Sequence, residues 1–318
     1  MAQKWDILSV GECMVEFFPD PPGSEHYRRS FGGDTLNAIA MAAKLGSRCA
    51  YLTRIADDFF GSFLRNSISS LGIDIETITT VGGFNGIYFI AVDSTGERRF
   101  QYFRSGSAAS MLSPADVRPQ WVEESRVVFA SGITQAISQS AALSVQRSMD
   151  LAHEKRCTVA YDVNFRPKLW NAGQASKHLS QIAPLLQILF FSSDEMAIVQ
   201  SAINARSAEI RSIVEASWAK GINLVVMKRG EQGAILGDRS TGKIRTLRPF
   251  SIEVADTSGA GDTFNGAFLH CFCRGKPGMD CARWGLAAAT LKVSRRGTVS
   301  AMPTPDEVHQ ALERIEIG

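Results

Sequence analysis

The segment with the clearest chemical content is Asp256-Thr257-Ser258-Gly259-Ala260-Gly261-Asp262-Thr263-Phe264. Three small residues there precede an apolar helical run at Phe264, Ala267, Phe268 and Cys271. A helix that begins at Ala260 or Gly261 presents free backbone N–H groups and the positive end of its dipole. Gly259 and Gly261 have no side chains to fend off an anion, so a phosphate can sit directly on that backbone. Asp262 lies at the edge of the same nest, where it can accept a proton from an attacking hydroxyl. The length of the string favours this reading over an Asp cap on a Gly-rich turn.

Three other groups carry polar chemistry. Phe31-Gly32-Gly33-Asp34-Thr35-Leu36-Asn37 precedes a helix. Gly32 and Gly33 allow close approach by a ligand, and Asp34 and Asn37 share one helical face near its start. The alternative is Asp34 as a plain cap with Asn37 solvated. Asp162-Val163-Asn164-Phe165-Arg166 follows an apolar strand, and alternation puts Asp162, Asn164 and Arg166 on one side of its carboxyl end. Unpaired burial of such charge is costly, which favours a site over a surface loop with an ion pair. Tyr102-Phe103-Arg104 adds a second Arg, on a ligand-facing or a solvated strand face. Gly237–Ile244 nearly fits the phosphate-loop pattern GxxxxGK[ST] but ends in Ile244, which offers no hydroxyl. It reads as a hairpin turn between two strands. No GxGxxG occurs, which disfavours a dinucleotide cofactor.

The elements that must position these residues alternate. Strands are expected at Asp6–Val10, Cys49–Thr53, Val127–Ser131, Thr158–Val163, Ile188–Phe191 and Leu224–Lys228. Helices are expected at Thr35–Leu45, Asp58–Leu71, Ser138–His153, Ala175–Leu186 and Ser207–Ala219, with the stretch from Gly261 to Ile315 largely helical. This order implies an α/β fold, a mostly parallel sheet covered on both faces. Residues 12–33, with Pro19, Pro21 and Pro22, and residues 84–105 break the rhythm. The second reads as a hairpin, Ile87–Val92 and Arg98–Tyr102 around a turn at Asp93-Ser94-Thr95-Gly96. Together they suggest a small β-sheet projecting as a lid over the carboxyl ends of the parallel strands, where ligands bind in such folds.

Composition narrows the partners. Lys+Arg total 34 against Asp+Glu 32, a formal charge of +2, and Arg295-Arg296 alone makes no nucleic-acid patch. No apolar run approaches the ~20 residues of a membrane helix, and the N-terminal residues show no secretory pattern. The six Cys include no CxxC pair and read as reduced thiols of a cytoplasmic core rather than as a zinc site or disulfide. The 318 residues allow two average domains or one large α/β domain with an appendage.

Taken together these residues resemble the PfkB (ribokinase-like) family of carbohydrate kinases over essentially the whole chain. Gly32-Gly33 with Asn37, and Asp256 through Asp262, match its two signatures. Within the family the chain is similar to 2-keto-3-deoxygluconate (KDG) kinases, through Gly33-Asp34-x-x-Asn37, Tyr102-Phe103-Arg104 with Ser107-Ala108-Ala109, and Asp162-Val163-Asn164-Phe165-Arg166 with Leu169-Trp170. The resemblance implies one ribokinase-like, Rossmann-like domain over 1–318, with the lid inserted from about 12–33 and 84–105. It implies MgATP as donor, Asp262 as catalytic base and an anion hole from Gly259, Ala260 and Gly261. Sugar contacts carry over to Gly33, Asp34, Asn37, Tyr88, Tyr102, Arg104, Asn164 and Arg166. Nucleotide contacts carry over to Lys228, Gly230 and Gly233. The family's Asn-x-x-Glu element is here Ser192-Ser193-Asp194-Glu195, which gives Glu195 an indirect link to Mg²⁺ and leaves Ser192 a nucleotide contact. The implied reaction is phosphorylation of the terminal hydroxyl of a sugar acid, KDG to its 6-phosphate. The alternatives are a kinase for a neutral sugar such as fructose or ribose and a catalytically silent sugar sensor, which the presence of Asp262 disfavours. A lone hairpin is marginal, so a dimer through the lids is expected.

Overall fold

In Trp5–Val10 (β1) every residue except Asp6 is buried. Ile7 belongs to one apolar layer and its neighbours Leu8 and Val10 to another. A strand buried on both faces belongs in a parallel sheet sandwiched between helices, and the computed structural model has that architecture. It describes residues 3–21, 23–92 and 98–318. Pro22 and the Asp93–Gly96 turn lie outside the described residues.

The next strands in the chain are β2 (Met14–Pro19), β3 (Tyr27–Gly32), β4 (Cys49–Ala56), β5 (Ile73–Asp74) and β6 (Ile78–Val81). Then come β7 (Ile87–Val92), β8 (Arg98–Phe103), β9 (Ser125–Ser131), β10 (Thr158–Asp162) and β11 (Ile188–Ser192). The last are β12 (Leu224–Lys228), β13 (Ala234–Asp238), β14 (Lys243–Arg248) and β15 (Glu316–Ile317). The large sheet runs β15-β14-β13-β12-β11-β10-β9-β1-β4-β5, with β6 also paired to β4. It is parallel from β12 to β5 and antiparallel from β12 to β15. The near-match to a phosphate loop is the β13–β14 hairpin turn, as its flanking strands predict.

Helices Asp34–Lys44, Ala260–Cys273 and Gly278–Val293 pack on one face, and Gln139–Glu154, Ala172–Ile182, Met196–Ile203 and Ile210–Ala219 on the other. Gly266 brings two of them unusually close. A Cβ there would lie 2.0 Å from the Ala38 carbonyl oxygen. Helix Ala260–Cys273 therefore lies directly on the backbone of Asp34–Lys44, and their first turns stand side by side. Leu45 caps Asp34–Lys44 and Gly46 turns away at φ +97°, as the sequence suggests.

The two irregular stretches form one four-stranded sheet in the order β3-β2-β7-β8. The hairpins are joined by parallel pairing of β2 with β7. Each hairpin is thus supported within the chain, and the marginal stability of an isolated hairpin gives no reason for a dimer. Met14, Tyr88 and Ile90 make a small core on its cleft side. All six cysteines are free and buried. Among the described residues no helix is long and apolar enough to cross a membrane.

Candidate active site

A cleft of about 1900 Å³ lies between the small sheet and the carboxyl ends of the parallel strands. Its floor contains the start of helix Ala260–Cys273. Gly259 caps that helix at φ +71°, a left-handed conformation that favours glycine. A Cβ at Gly259 would also lie 2.5 Å from Thr298 Cγ2. The Thr263 N–H closes the first helical bond on Gly259 O at 2.9 Å, and the Ala260 N–H reaches Thr257 O at 3.2 Å. Of the expected trio Gly259, Ala260 and Gly261, the Ala260 donor is engaged in this turn, and the Gly259 and Gly261 donors have no such partner. Gly261 and Asp262 carry the helix-start N–H groups that no preceding helical carbonyl reaches.

Asp262 accepts a hydrogen bond from Asn37 Nδ2 at 2.9 Å, the contact that the close helix pair makes possible. Burial, with the neighbouring Asp34 carboxylate, pushes the Asp262 carboxyl up to about 7 against the pull of Asn37 and Lys228. Asp34 is raised as well, first by burial, while hydrogen bonds from Ser131 and the Thr35 N–H, and then Arg166, draw it back. Asn37 Oδ1 is buried with no hydrogen-bond partner, an open acceptor beside the candidate base.

Alternation holds at Asp162 and breaks two residues later. β10 stops at Asp162, and Asn164 turns the chain at φ +35°, a left-handed conformation that Asn tolerates better than most residues. Asn164 Nδ2 still reaches Asp34 Oδ2 at 2.9 Å. Arg166 is exposed on the cleft wall and donates to Phe165 O at 3.3 Å. Glu195 fixes this turn. Its two carboxylate oxygens accept the Phe165 N–H at 2.5 Å and the Ser192 N–H at 2.6 Å. Glu195 is thus buried scaffolding between β10 and β11, raised by burial and by Asp162.

Lys228 ends β12 with its ammonium 2.6 Å from Asp162 Oδ2, and Asn265 Nδ2 binds the same oxygen at 2.6 Å. Asp162 Oδ1 is buried without a partner. Ser192, Lys228 and Gly230 line the cleft. Gly233 does not: it is buried, and a Cβ there would lie 2.0 Å from Leu247 O, so its role is packing against β14. Gly33 is held for a similar reason, its Cβ position lying 2.0 Å from Glu12 O. Backbone packing, rather than ligand approach alone, requires glycine there.

Two expected sugar contacts are engaged inside the protein. The Arg104 guanidinium forms an ion pair with Glu12, whose side chain is 1% exposed. Arg104 Nε is the buried donor it leaves unpartnered. The Tyr88 hydroxyl donates to Glu16 Oε2 at 2.5 Å, so its proton is committed. Tyr102 is 38% exposed and lies against Tyr88, ring centroids 5.5 Å apart. Sequence reasoning missed Glu12, Glu16 and Asn265. Glu12 alone carries a signal, a carboxylate two residues past the end of an apolar strand, where ligands bind.

A family model described as pfkB family carbohydrate kinase matches residues 4–305. The chain belongs to this family. Its similar relatives include the 5-dehydro-2-deoxygluconokinase of Listeria monocytogenes, 26% identical over 322 residues, covering 99% of this chain and 98% of that one. Probable fructokinase-4 of Arabidopsis thaliana is also 26% identical, covering 98% of each chain. Among solved structures, a putative ribokinase II from E. coli in complex with ATP and Mg²⁺ superposes with a TM-score of 0.87 at 20% identity, covering 99% of this chain and 100% of that one. The 2-dehydro-3-deoxygluconokinase of Thermotoga maritima superposes with a TM-score of 0.86 at 20% identity, covering 98% and 99%.

PfkB-family kinases use ATP with Mg²⁺, and this cleft suits the pair. The helix start supplies anion donors, Lys228 a cation, and Asp162 Oδ1 an unpartnered carboxylate oxygen. The described residues hold no cluster of three or more His, Cys, Asp or Glu fit to cage a metal.

Proposed function

We propose that this carbohydrate kinase phosphorylates the terminal hydroxyl of a sugar acid, 2-keto-3-deoxy-D-gluconate, giving the 6-phosphate. The observation that carries the reading is Asp262, a carboxyl near neutral pKa in the first turn of an anion-binding helix and held by Asn37. A base whose pKa lies close to the working pH is suited to take the proton of a hydroxyl as its oxygen attacks phosphorus. MgATP, when bound, supplies the phosphoryl group. Gly261 and Asp262 N–H groups and Lys228 stabilise its charge, and most of the catalysis is positioning and electrostatics. Asn37 orients the Asp262 carboxylate, and its free Oδ1 accepts a sugar hydroxyl. Asp34 and Asn164 hold each other and bind the middle of the chain. Glu195 keeps the Asn164–Arg166 turn against β11.

The acid group distinguishes this substrate from neutral sugars. With its terminal hydroxyl at Asp262, a six-carbon acid places its carboxylate at the far end of the cleft. Arg104 is largely neutralised by Glu12, so Arg166 is the guanidinium available to grip that carboxylate with two parallel bonds. Tyr102 covers it, and Arg104 Nε adds one donor. The curated relatives named 5-dehydro-2-deoxygluconokinase support a second acceptor, 5-dehydro-2-deoxygluconate, which carries the same acid group.

The small sheet acts as a lid that excludes water, on a single domain spanning 1–318. A dimer through the lid is supported by the exposed aromatic ring of Tyr27, which is 47% exposed and does not line the cleft. The protein acts in the cytoplasm. The test is Arg166→Lys. It should raise KM for the sugar acid by at least about tenfold and leave weak fructose turnover unchanged. Unaltered KDG kinetics in this variant would remove the sugar-acid reading and leave the kinase.

A further inference from the structure

Lys292 is the penultimate residue of helix Gly278–Val293, and its side chain has no solvent exposure. Its ammonium donates to Asp256 O at 2.8 Å and lies 3.9 Å from Asp256 Oδ2. Asp256 is itself buried. Its Oδ1 accepts the Ser258 N–H and its Oδ2 the Gly297 N–H, both at 2.9 Å. The Asp256 N–H in turn reaches Val293 O at 3.0 Å. One ammonium–carboxylate unit therefore ties together two loops, 256–259 and 294–298. These loops touch again where Thr298 faces Gly259. Both line the cleft beside the helix start.

A buried ammonium is costly to desolvate, and a buried ion pair contributes little to net stability compared with an apolar pair of the same volume. Its placement has an electrostatic consequence. Asp256 is a carboxylate three residues before the glycine that caps an anion site. Unneutralised, it would oppose the negative phosphoryl group. Lys292 cancels that charge from behind and holds the carbonyl at the base of the loop.

We propose that Lys292 is a positioning residue for phosphoryl transfer: with Asp256 it fixes and charge-balances the loop that shapes the Gly259–Asp262 anion nest. This rests on the reading of that nest as the phosphoryl site. Asn37, Asp34 and Arg166 stand on other elements, so sugar binding does not depend on it.

The test compares Lys292→Met, Lys292→Ala and Asp262→Asn, using the sugar the wild type turns over fastest and normalising to folded protein. Lys292→Met should lower kcat about a hundredfold, the scale of a ~1 Å misplacement, with sugar KM within about threefold. Methylammonium should restore kcat of Lys292→Ala at least tenfold, saturably, and should not restore Asp262→Asn. A folded Lys292→Met with kcat within threefold of wild type overturns the proposal, as does absence of methylammonium rescue. If Lys292→Met does not fold, Asp256→Asn, which keeps an acceptor for the Ser258 N–H, decides on the same kcat-against-KM split. If Asp262→Asn is also active, the phosphoryl-site reading falls. If Asp262→Asn is inactive while Lys292→Met is not, only the role of Lys292 falls.

Discussion

The carboxyl of Asp262 at about 7 should govern the pH profile of kcat/KM, which reports the essential groups of the free enzyme. A base must be ionised to accept a proton, so activity should rise with pH. A group titrating at about 7 is ionised to about 9% at pH 6 and about 91% at pH 8, a rise of about tenfold in kcat/KM. Burial sets most of the elevation and the Asp34 carboxylate is the next cause. Asp34→Asn removes that charge while keeping an acceptor for Asn164. A neighbouring carboxylate is worth about one pH unit or more, so the acid limb should move to about 6 and the rise between pH 6 and pH 8 should shrink to about twofold. Wild type titrates as a pair of interacting carboxyls and the variant as one group. Absolute kcat/KM should fall in the variant because Asp34 lines the cleft, but the readout is the position of the limb. The assay is the initial rate of ADP release at constant ionic strength with sugar well below KM. A flat wild-type profile between pH 6 and pH 8, or a limb that moves up in Asp34→Asn, refutes the reasoning.

Asp262→Asn should lower kcat by about 10²–10⁴-fold. It should also raise Tm at pH 8. The folded carboxyl is at about 7 and the unfolded one near ~3.9, so the native state binds this proton more tightly. The stability it contributes is complete below pH ~4 and is lost as pH rises through about 7, so the gain in the variant should vanish toward pH 4. Gly259→Ala places a Cβ at φ +71° and 2.5 Å from Thr298 Cγ2, which should cost about 1–3 kcal/mol by urea denaturation. It should also lower kcat with little change in sugar KM. Glu12→Gln leaves the Arg104 guanidinium without its ionic partner in a site 12% exposed. A loss of about 3 kcal/mol is expected from urea curves, and a loss under 0.5 kcal/mol would contradict the pairing.

The alternating strands and helices were legible because the core strands β1, β9, β10, β11 and β12 are mostly apolar and most of the helices end on a glycine or a polar turn. β5 and β6 were not, being two and four residues long with no periodicity to read. The nest was legible in Gly259–Asp262, since glycine before an apolar helix has few other uses. The engagement of the Ala260 N–H by Thr257 depends on the turn geometry and left no trace in the string. Gly266 sits within an apolar run and gave no sign that it sets the distance between Asn37 and Asp262. Nothing in the sequence near Arg104 marks its ion pair, because its partner Glu12 is far away in the chain. Alternation carried Asp162 but not Asn164, where the backbone leaves the strand at φ +35°.

The central claim is transfer of phosphate from MgATP to a sugar acid, with Asp262 as the base. Its most direct measurement is kcat/KM for ADP release with KDG, 5-dehydro-2-deoxygluconate, fructose and ribose, with the phosphorylated carbon assigned by ³¹P NMR. The account predicts that a sugar acid exceeds both neutral sugars by at least about a hundredfold, with phosphate on the terminal carbon and no transfer in Asp262→Asn above a hundredth of wild type. Fructose or ribose as the better substrate, or full transfer without the Asp262 carboxylate, would contradict it.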